Sequence, residues 1–376
     1  PLEFPEAFPA GFDAVVGNPP WEMLRAGGGS SGRGDLKAFA RTAGVFTLAT
    51  EGHLNLYQLF VERAFQMTRH GGRVGLIVPW GLMADEGSAR LRARLLDGAA
   101  IDSLVRFDNS AAVFQAHRSL RFAALTATNG ARTDSVEITR VHDTAALDDF
   151  PDRGPLPNGA PVTQGGLIVL GGRARRVPDA ASRESLATAL KIAATNRALG
   201  DPDGWAAAFG RELNLTEDRA HFVKAGRTTL PVLEGKHLHP HRVERARARH
   251  HIGRPAACRL LPDRPFDRPR LAYRDVTAPT NRQTLIAAIV PAGCVTGHSL
   301  FCLRNDDWEP DAQRALCALL NSVVANFLVR LFVSAHVTTA LMAWLPVPDR
   351  ARAIAGLGEV TAPGPAVDRR VARLYG

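Results

Sequence analysis

The first 130 residues alternate between short apolar runs and segments of helical periodicity, and this alternation restricts the fold more than any other feature. A helix is predicted over residues 54–68, ended by Gly71 and Gly72, and a charged helix over residues 87–96. Short, mainly apolar runs lie before, between and after these helices, at residues 12–16, 73–79, 101–107 and 122–128. Strands without polar alternation are buried on both faces, so the pattern predicts an α/β fold with a mostly parallel sheet.

The rest of the chain suggests a second domain. Residues 27–34 (GGGSSGRG) predict a flexible loop, and residues 151–178, rich in Pro, Gly and Arg, indicate a connection between domains. Further on, strands at 270–274, 285–290 and 300–303 and a buried helix over 311–332 predict an α+β unit. We therefore predict a first domain over 1–150, a connector over 151–225, a second domain over 226–350 and a tail over 351–376.

The sequence shows no targeting signal and no cysteine or histidine pattern typical of a metal site. No apolar run approaches the ~20 residues that cross a bilayer, and no signal peptide is visible, so we expect a cytoplasmic protein without a membrane partner. The four cysteines form no Cys-x-x-Cys pair, which favours reduced, buried thiols. His237, His239 and His241 alternate as metal ligands on a strand would, but Pro240 interrupts them and the surroundings are basic. A solvated or phosphate-facing surface is therefore favoured, and no metal is predicted.

The charge indicates a polyanionic partner. The chain carries 46 Lys and Arg against 37 Asp and Glu, a net charge of +9, although a G·C-rich genome also raises the Arg content. Residues 236–274 contain eleven basic and three acidic side chains. Each arginine alone could be an ordinary solvated side chain, and Arg274 could instead pair with Asp275. As a group, the following residues are predicted to contact DNA: Lys236, Arg242, Arg245, Arg247, Arg249, Arg254, Arg274 and Asn281.

The sequence Asn18-Pro19-Pro20-Trp21 directly follows the first predicted strand and carries the clearest chemistry. A plain turn would explain Asn and Pro, but the strand context and the aromatic fourth residue favour a site. An exocyclic amine on a heteroaromatic ring is a poor nucleophile because the ring delocalises its lone pair. Two acceptors aimed at the amine hydrogens, the Asn18 side-chain carbonyl and the Pro19 backbone carbonyl, would localise that lone pair. The prolines fix the backbone, and Trp21 offers a face for stacking.

This segment resembles motif IV of class I amino-methyltransferases, specifically the adenine-specific DNA methyltransferases of restriction–modification systems. LNLYQLFVERAFQM and GGRVGLIVPWGLM (54–83) resemble that family's next helix and strand, and RFDNSAAVFQAHRSLRFAALTAT (106–128) resembles its later motifs. Residues 209–222, 232–241 and 270–303 resemble its target-recognition part, and 318–348 its closing helix and tail.

The resemblance implies part of a Rossmann-like methyltransferase sheet over 1–150, followed by a target-recognition domain over 226–350. It also implies S-adenosylmethionine as cofactor, with Asn18 beside it, double-stranded DNA with a flipped adenine near Phe114, and a restriction or phage-defence role.

One departure from the family bears on the cofactor. The family's glycine-rich cofactor loop, Phe-x-Gly-x-Gly, occurs nowhere in the sequence. We expect it upstream or on a partner chain, so that the first strand lies at an unpaired sheet edge and this chain alone binds the cofactor poorly. Two alternatives follow. One is an RNA-base or protein-glutamine methyltransferase, against which the long basic second domain argues. The other is a DNA-binding specificity module without catalysis, which the missing loop favours.

Overall fold

The computed structural model describes residues 5–7, 10–24, 31–48, 54–115, 118, 120–151, 159–305 and 308–360, without the side chains of residues 7, 31–35 and 357–360. The chain forms two compact units, Pro1–Lys191 and Ile192–Gly376. The division between them falls inside the segment 151–225 that the sequence suggested as a connector.

The first unit combines six strands with helices. Its strands are β1 (Phe12–Gly17), β2 (Thr68–Pro79), β3 (Ala99–Asp108), β4 (Arg121–Asn129), β5 (Ser135–Val141) and β6 (Ala160–Thr163). Its helices are α1 (Ser31–Thr42), α2 (Leu56–Met67), α3 (Gly81–Ala84), α4 (Ala89–Gly98), α5 (Gln164–Gly171) and α6 (Arg183–Thr195), the last of which runs into the second unit.

The strands form one sheet in the order β1-β2-β4-β3-β5-β6. The β1–β2 and β3–β5 pairs are parallel, whereas β4 and β6 run against their neighbours. Four of the six strands thus share one direction, and the predicted α/β fold is confirmed. Consequently β1, β2, β3 and β5 all end at one edge of the sheet, which we call the carboxyl edge. Strand β1 is the outermost strand of the sheet, as the sequence led us to expect.

Gly71 and Gly72, predicted to end a helix, lie near the start of strand β2. Helix α2 ends at Met67, where Thr68 already has extended backbone angles, and Gly71 and Gly72 lie within β2. A Cβ on Gly72 would lie 2.9 Å from the carbonyl oxygen of Asp13. The register between β1 and β2 also shifts beside this point. Gly72 therefore allows two backbones to approach closely, and the helix stop predicted there is wrong.

Two further segments differ from the sequence expectation. Helix α1 begins at Ser31, inside the predicted loop 27–34, whose first residues lie outside the described part of the chain. Residues 167–170, which lie within the predicted connection 151–178, belong to helix α5, and the sequence did not predict β5 or β6. These two strands were missed because β6 forms by pairing with β5 over four residues. Such a tertiary contact cannot be recognised from a local sequence pattern.

The second unit is built from short strands and helices. Its strands are β7 (Arg197–Ala198), β8 (Phe209–Gly210), β9 (Phe222–Val223), β10 (Thr229–Leu233), β11 (Leu238–His239), β12 (Arg242–Val243), β13 (His250–Gly253), β14 (Arg270–Arg274), β15 (Ala287–Val290), β16 (Val295–Thr296), β17 (Leu300–Leu303) and β18 (Pro346–Val347). Its helices are α7 (Arg254–Leu260), α8 (Pro310–Leu320), α9 (Val323–Arg330), α10 (Thr339–Trp344) and α11 (Arg350–Val360).

Two four-stranded sheets, β16-β10-β13-β9 and β15-β14-β17-β8, carry the core of this unit. The strand predicted over 270–274 is β14, and those predicted over 285–290 and 300–303 correspond to β15 and β17. Buried apolar residues of β14, β15 and β17, among them Ala272, Val290 and Leu300, form one cluster. The mixture of helices and antiparallel strands agrees with the α+β unit predicted there.

The single helix predicted over 311–332 is broken into α8 and α9. At the break, the Asn321 side chain turns to the backbone of Ala287: its amide donates to the carbonyl at 2.8 Å and its oxygen accepts from the N–H at 3.1 Å. Ser322 then caps α9 by accepting from the N–H of Ala325 at 3.1 Å. No single described helix is long and apolar enough to cross a membrane; α8 and α9, bent by 60°, pass that test only as a pair.

Candidate active site and basic surface

The Asn-Pro-Pro-Trp turn leaves the sheet at the carboxyl edge, directly after β1. It is anchored on both sides. Ahead of it, Val16 and Gly17 pair with β2. Behind it, the carbonyl of Glu22 accepts from the N–H of Leu56, and Leu24 donates to Leu54, both at 2.9 Å. The turn is thus held between the sheet and the start of α2, which fixes the backbone of the residues it presents.

Within the turn, exposure differs sharply from residue to residue. Pro19 is buried, whereas Asn18 and Pro20 are exposed. Among the described residues, no hydrogen bond of the Asn18 side chain is found, so its carbonyl oxygen is available as an acceptor. The residue before a proline is held extended. The turn therefore buries its rigid part and leaves a polar amide at the carboxyl edge.

Trp21 belongs to an aromatic cluster on one face of the sheet. Its indole N–H donates to the carbonyl of Ile77 in β2 at 3.3 Å. Its ring meets Phe114 edge-on at a centroid distance of 5.4 Å and Phe122 at 5.8 Å. Phe107 stacks on Phe122 at 4.9 Å, which ties the cluster to β3 and β4. The half-buried Trp21 is therefore fixed in orientation by its neighbours.

Phe114, predicted to lie near a flipped base, contacts Trp21. Asn109 holds Phe114 in this position. Asn109 follows β3 and is fully buried. Its side-chain oxygen accepts from the backbone N–H of Phe114 at 2.9 Å, and its amide donates to the Phe114 carbonyl at 3.1 Å. This pair of bonds closes the loop after β3. An asparagine directly after a predicted strand was the available signal, but a plain turn explained it equally well.

Replacing Asn109 with Ala is expected to lower the free energy of unfolding by about 1–3 kcal/mol, because the buried backbone groups of Phe114 lose their partner. Urea unfolding followed by tryptophan fluorescence measures this loss. Asn18→Ala is the matched control, since it makes the same replacement at an exposed position of the same unit. Equal stability of the two variants would contradict the clamping role of Asn109.

A charged cluster lies on the opposite face of the sheet, again at the carboxyl edge. Arg106 of β3, Arg121 of β4 and Arg140 of β5 surround the carboxylate of Asp179 at 2.9, 3.1 and 3.3 Å. The side chains of Arg106 and Asp179 are each 2% exposed. Burial lowers the pKa of Arg106 to about 10, although Asp179 opposes this shift. We call these four residues the Asp179 cluster; sequence patterns did not predict it, because each arginine alone resembles a surface residue.

The predicted DNA-binding residues divide into two groups in the second unit. Several are paired with acids: Arg242 and Arg247 share Glu244 at 2.9 and 3.0 Å, Arg254 contacts Asp267 at 2.5 Å, and Lys236 contacts Glu234 at 2.7 Å. These pairs neutralise part of the basic segment. Their cationic side chains remain 48–75% exposed, so they are still accessible to a polyanion.

The other predicted DNA-binding residues do not form ion pairs with acids in the described chain. Arg245 and Arg249 are exposed, and no ion pair is found for either within the described chain. Arg274 is half-buried and donates to the carbonyl of Leu238, and burial lowers its pKa. The alternative of an Arg274–Asp275 pair is not realised.

Asp275 instead contacts Arg211 at 2.8 Å and His336 at 3.1 Å. Asn281 is exposed, and its carbonyl accepts from Arg330 at 2.6 Å.

The histidine and cysteine residues that the structure describes do not form a metal centre. In the described residues no group of three His, Cys, Asp or Glu side chains is placed to hold a metal ion. His237 is buried, whereas His239 contacts Glu244 at 3.4 Å. Cys294, Cys302 and Cys317 are buried as free thiols, and burial raises the pKa of Cys302 and of Cys317 to about 12. These thiols therefore belong to the core.

One family model matches the chain, over the part that contains the turn. Residues 2–114 match the Eco57I restriction-modification methylase family, a range that begins before β1 and ends at Phe114. No curated protein sequence matches the chain significantly.

Solved structures extend the similarity in fold. The Type IIL restriction-modification enzyme MmeI, in complex with DNA, matches with a TM-score of 0.54 at 11% identity, over 94% of this chain and 50% of its own. A nuclease-deletion mutant of the Type ISP restriction-modification enzyme LlaGI, with a DNA substrate mimic, matches with a TM-score of 0.51 at 9% identity, over 92% and 34%. A modification subunit of a putative type I restriction enzyme from Vibrio vulnificus YJ016 is 18% identical over 42% of this chain and 35% of its own, with a TM-score of 0.31.

The chain spans between 28% and 51% of the length of eight solved structures that it matches. At such low identities the structural matches establish the fold alone, and the family match covers residues 2–114. Over residues 2–114, the segment that presents Asn18 to Trp21, the chain is thus similar to the Eco57I restriction-modification methylases.

Proposed function

We propose that this chain binds the target amine and recognises DNA in an S-adenosylmethionine-dependent methyltransferase that modifies the N6 amine of adenine. The observation that carries this proposal is the exposed Asn18 carbonyl at the carboxyl edge, beside the fixed aromatic pair Trp21 and Phe114. A free polar acceptor next to an aromatic face suits a flat heteroaromatic amine. The restriction–modification family supports DNA as the source of that amine, and the choice of adenine rests on the family resemblance.

In this proposal the turn polarises the amine without a strong base. The Asn18 side-chain oxygen accepts one amine hydrogen and the Pro19 backbone carbonyl accepts the other. The backbone that carries both acceptors is fixed before the base arrives, because Pro19 is buried and the turn is anchored on both sides. Such preorganised groups stabilise the positive charge that develops on the nitrogen as its lone pair attacks. The released proton passes to solvent at this exposed edge.

Trp21 and Phe114 hold the base in the correct plane. Removing a base from the duplex costs a few kcal/mol, and stacking on one aromatic side chain returns roughly 1–3 kcal/mol. The remainder must come from contacts with the DNA backbone. The basic residues of the second unit, including the exposed Arg245 and Arg249, are proposed to provide them.

S-adenosylmethionine would supply a methyl group on a sulfonium, and Asn18 and Pro19 would hold the amine that receives it. The sequence has no Phe-x-Gly-x-Gly loop to hold the rest of the cofactor, so groups other than this turn must bind that part. The chain's own contribution is therefore to orient the amine.

Labelling with tritiated cofactor tests the proposal. The active enzyme should label double-stranded DNA, and digestion of the product should give N6-methyladenine as the labelled nucleoside. Label in RNA or in glutamine side chains, with none in DNA, would overturn it in favour of the first alternative. Sequence-specific DNA binding without transfer, even when a cofactor-binding part is supplied, would favour the specificity module.

The basic surface can be tested separately. Arg245→Ala with Arg249→Ala is expected to weaken DNA binding for all sequences alike and to reduce the slope of log K against log salt by about 2, because each neutralised phosphate contributes about one to that slope. Fluorescence anisotropy at several salt concentrations measures both effects. Arg227→Ala with Arg352→Ala, at two other exposed positions of the same unit, removes the same charge and should change neither. Equal effects of the two double variants would show that only net charge matters.

A further inference from the structure

The second unit contains a cavity that plays no part in the proposed methyl transfer. It has a volume of about 540 Å³ and lies beside β15, β17 and the start of α8. Small-molecule sites in proteins typically measure about 300–1,000 Å³. The cavity is therefore large enough for a ligand of the size of a mononucleotide.

The lining of this cavity is apolar on one part and basic on another. Ile289, Leu303 and Trp308 contribute apolar surface. Arg268, Arg304 and Arg314 contribute guanidinium groups, and Asp263 is the one acid among the described lining residues. A fourth arginine of the lining, Arg270, is already neutralised by the fully buried Glu212 at 2.5 Å. The described lining therefore places guanidinium groups next to an apolar wall.

All three of these arginines have partners within the chain. Arg314 pairs with Asp311 on the same helix, and both side chains are 59% exposed. Arg304 donates to the backbone carbonyl of Arg211. An exposed ion pair is worth little in water, so a phosphate group can displace Asp311 from Arg314 at small cost.

Hydrogen bonds fix the walls of the cavity in place. The Gln313 side chain accepts from the backbone N–H of Leu271 at 2.9 Å and donates to the carbonyl of Trp308 at 3.3 Å. The Trp308 ring is held by Trp205 at 5.3 Å and by the Arg350 guanidinium at 4.8 Å. A site whose walls are already ordered loses little affinity to the ordering of side chains.

We propose that this cavity binds a nucleotide unit, with the base against Ile289, Leu303 and Trp308 and the phosphate at Arg268 and Arg314. A guanidinium group matches the geometry of phosphate and binds it through paired hydrogen bonds. An apolar wall beside it suits the face of a heteroaromatic base. A free mononucleotide and a nucleotide within a DNA strand share this chemistry. The inference is independent of the proposed methyl transfer, because Asn18 belongs to the other unit.

Calorimetry with the full chain tests the site. Deoxyadenosine 5′-monophosphate should bind at least about tenfold more tightly than either deoxyadenosine or inorganic phosphate, since each of these offers only half of the contacts. Arg268→Ala with Arg314→Ala should weaken this binding about tenfold or more, as expected when charge-assisted hydrogen bonds to phosphate are removed. Ile289→Trp, which fills the cavity from the β15 side, should weaken it as well.

The control for charge is Arg227→Ala with Arg259→Ala, two exposed residues of the same unit that do not line the cavity; it should bind the mononucleotide like the parent. A short single-stranded oligonucleotide distinguishes the sources: competition with the mononucleotide identifies DNA as the natural ligand, and lack of competition identifies a free nucleotide. No measurable binding, equal binding of inorganic phosphate, or insensitivity to both cavity variants would overturn the proposal.

Discussion

Asn18→Ala should reduce kcat for methyl transfer by about 10²–10³, equivalent to about 2.7–4 kcal/mol, while leaving the fold intact. This is the usual loss when one preorganised polar group is removed from a charge-stabilising site. The Asn18 side chain is exposed and, among the described residues, not hydrogen-bonded, so its removal should change the free energy of unfolding by no more than about 0.5 kcal/mol. The turnover of the active enzyme, assayed with tritiated cofactor and saturating DNA, measures the effect.

Two further variants make this test sharper. Asn18→Asp keeps an oxygen acceptor at the same place, so it should retain more activity than the alanine variant. Val16→Ala, in the strand just before the turn and at a residue that is 83% exposed, should behave like the parent enzyme. If Asn18→Ala kept more than half of the turnover, polarisation of the amine by this residue would be ruled out.

Asp179→Ala should cost about 3–5 kcal/mol of the free energy of unfolding, the range for removing one partner from a buried ion pair. The substitution leaves Arg106, Arg121 and Arg140 facing one another around a 2%-exposed position without their shared carboxylate. Burial already lowers the pKa of Arg106 and of Arg121, which shows that these charges are poorly solvated. Urea unfolding of the chain measures the loss.

Asp134→Ala is the matched control, because it removes an exposed carboxylate of the same unit and should change stability by no more than about 0.5 kcal/mol. Sulfate should restore part of the stability of Asp179→Ala by taking the place of the carboxylate between the guanidinium groups. A loss below about 1 kcal/mol would show that the three arginines repel one another less than their burial implies.

Local sequence predicted the elements whose stability is local. The apolar run of β2 and the periodic helix α2 were found within a few residues of their bounds, because hydrophobic period and length identify them. The Asn18–Trp21 turn was equally visible, since two prolines after a strand restrict the backbone wherever the turn lies. The order of the sheet was not visible. Strand β4 lies between β2 and β3 and runs antiparallel to both. Its position depends on which strands pair in the folded chain.

Polar networks and helix breaks depended on distant partners. Asn321 interrupts the predicted helix because it pairs with Ala287, 34 positions earlier. Asn109 became a clamp because the loop after β3 returns Phe114 to it. In the basic segment, composition predicted the excess charge, yet it could not tell that Glu244 neutralises Arg242 and Arg247 while Arg245 stays exposed.

By itself, the sequence determined an α/β first domain and the amide and aromatic groups of the Asn18–Trp21 turn, because period and proline geometry act over a few bonds. Tertiary structure alone decided that Trp21 meets Phe114, that three arginines converge on Asp179, and that a basic cavity forms beside Trp308. These contacts join residues that are far apart in the sequence. They form only when the fold brings the residues together, and a local sequence pattern does not specify which residues meet.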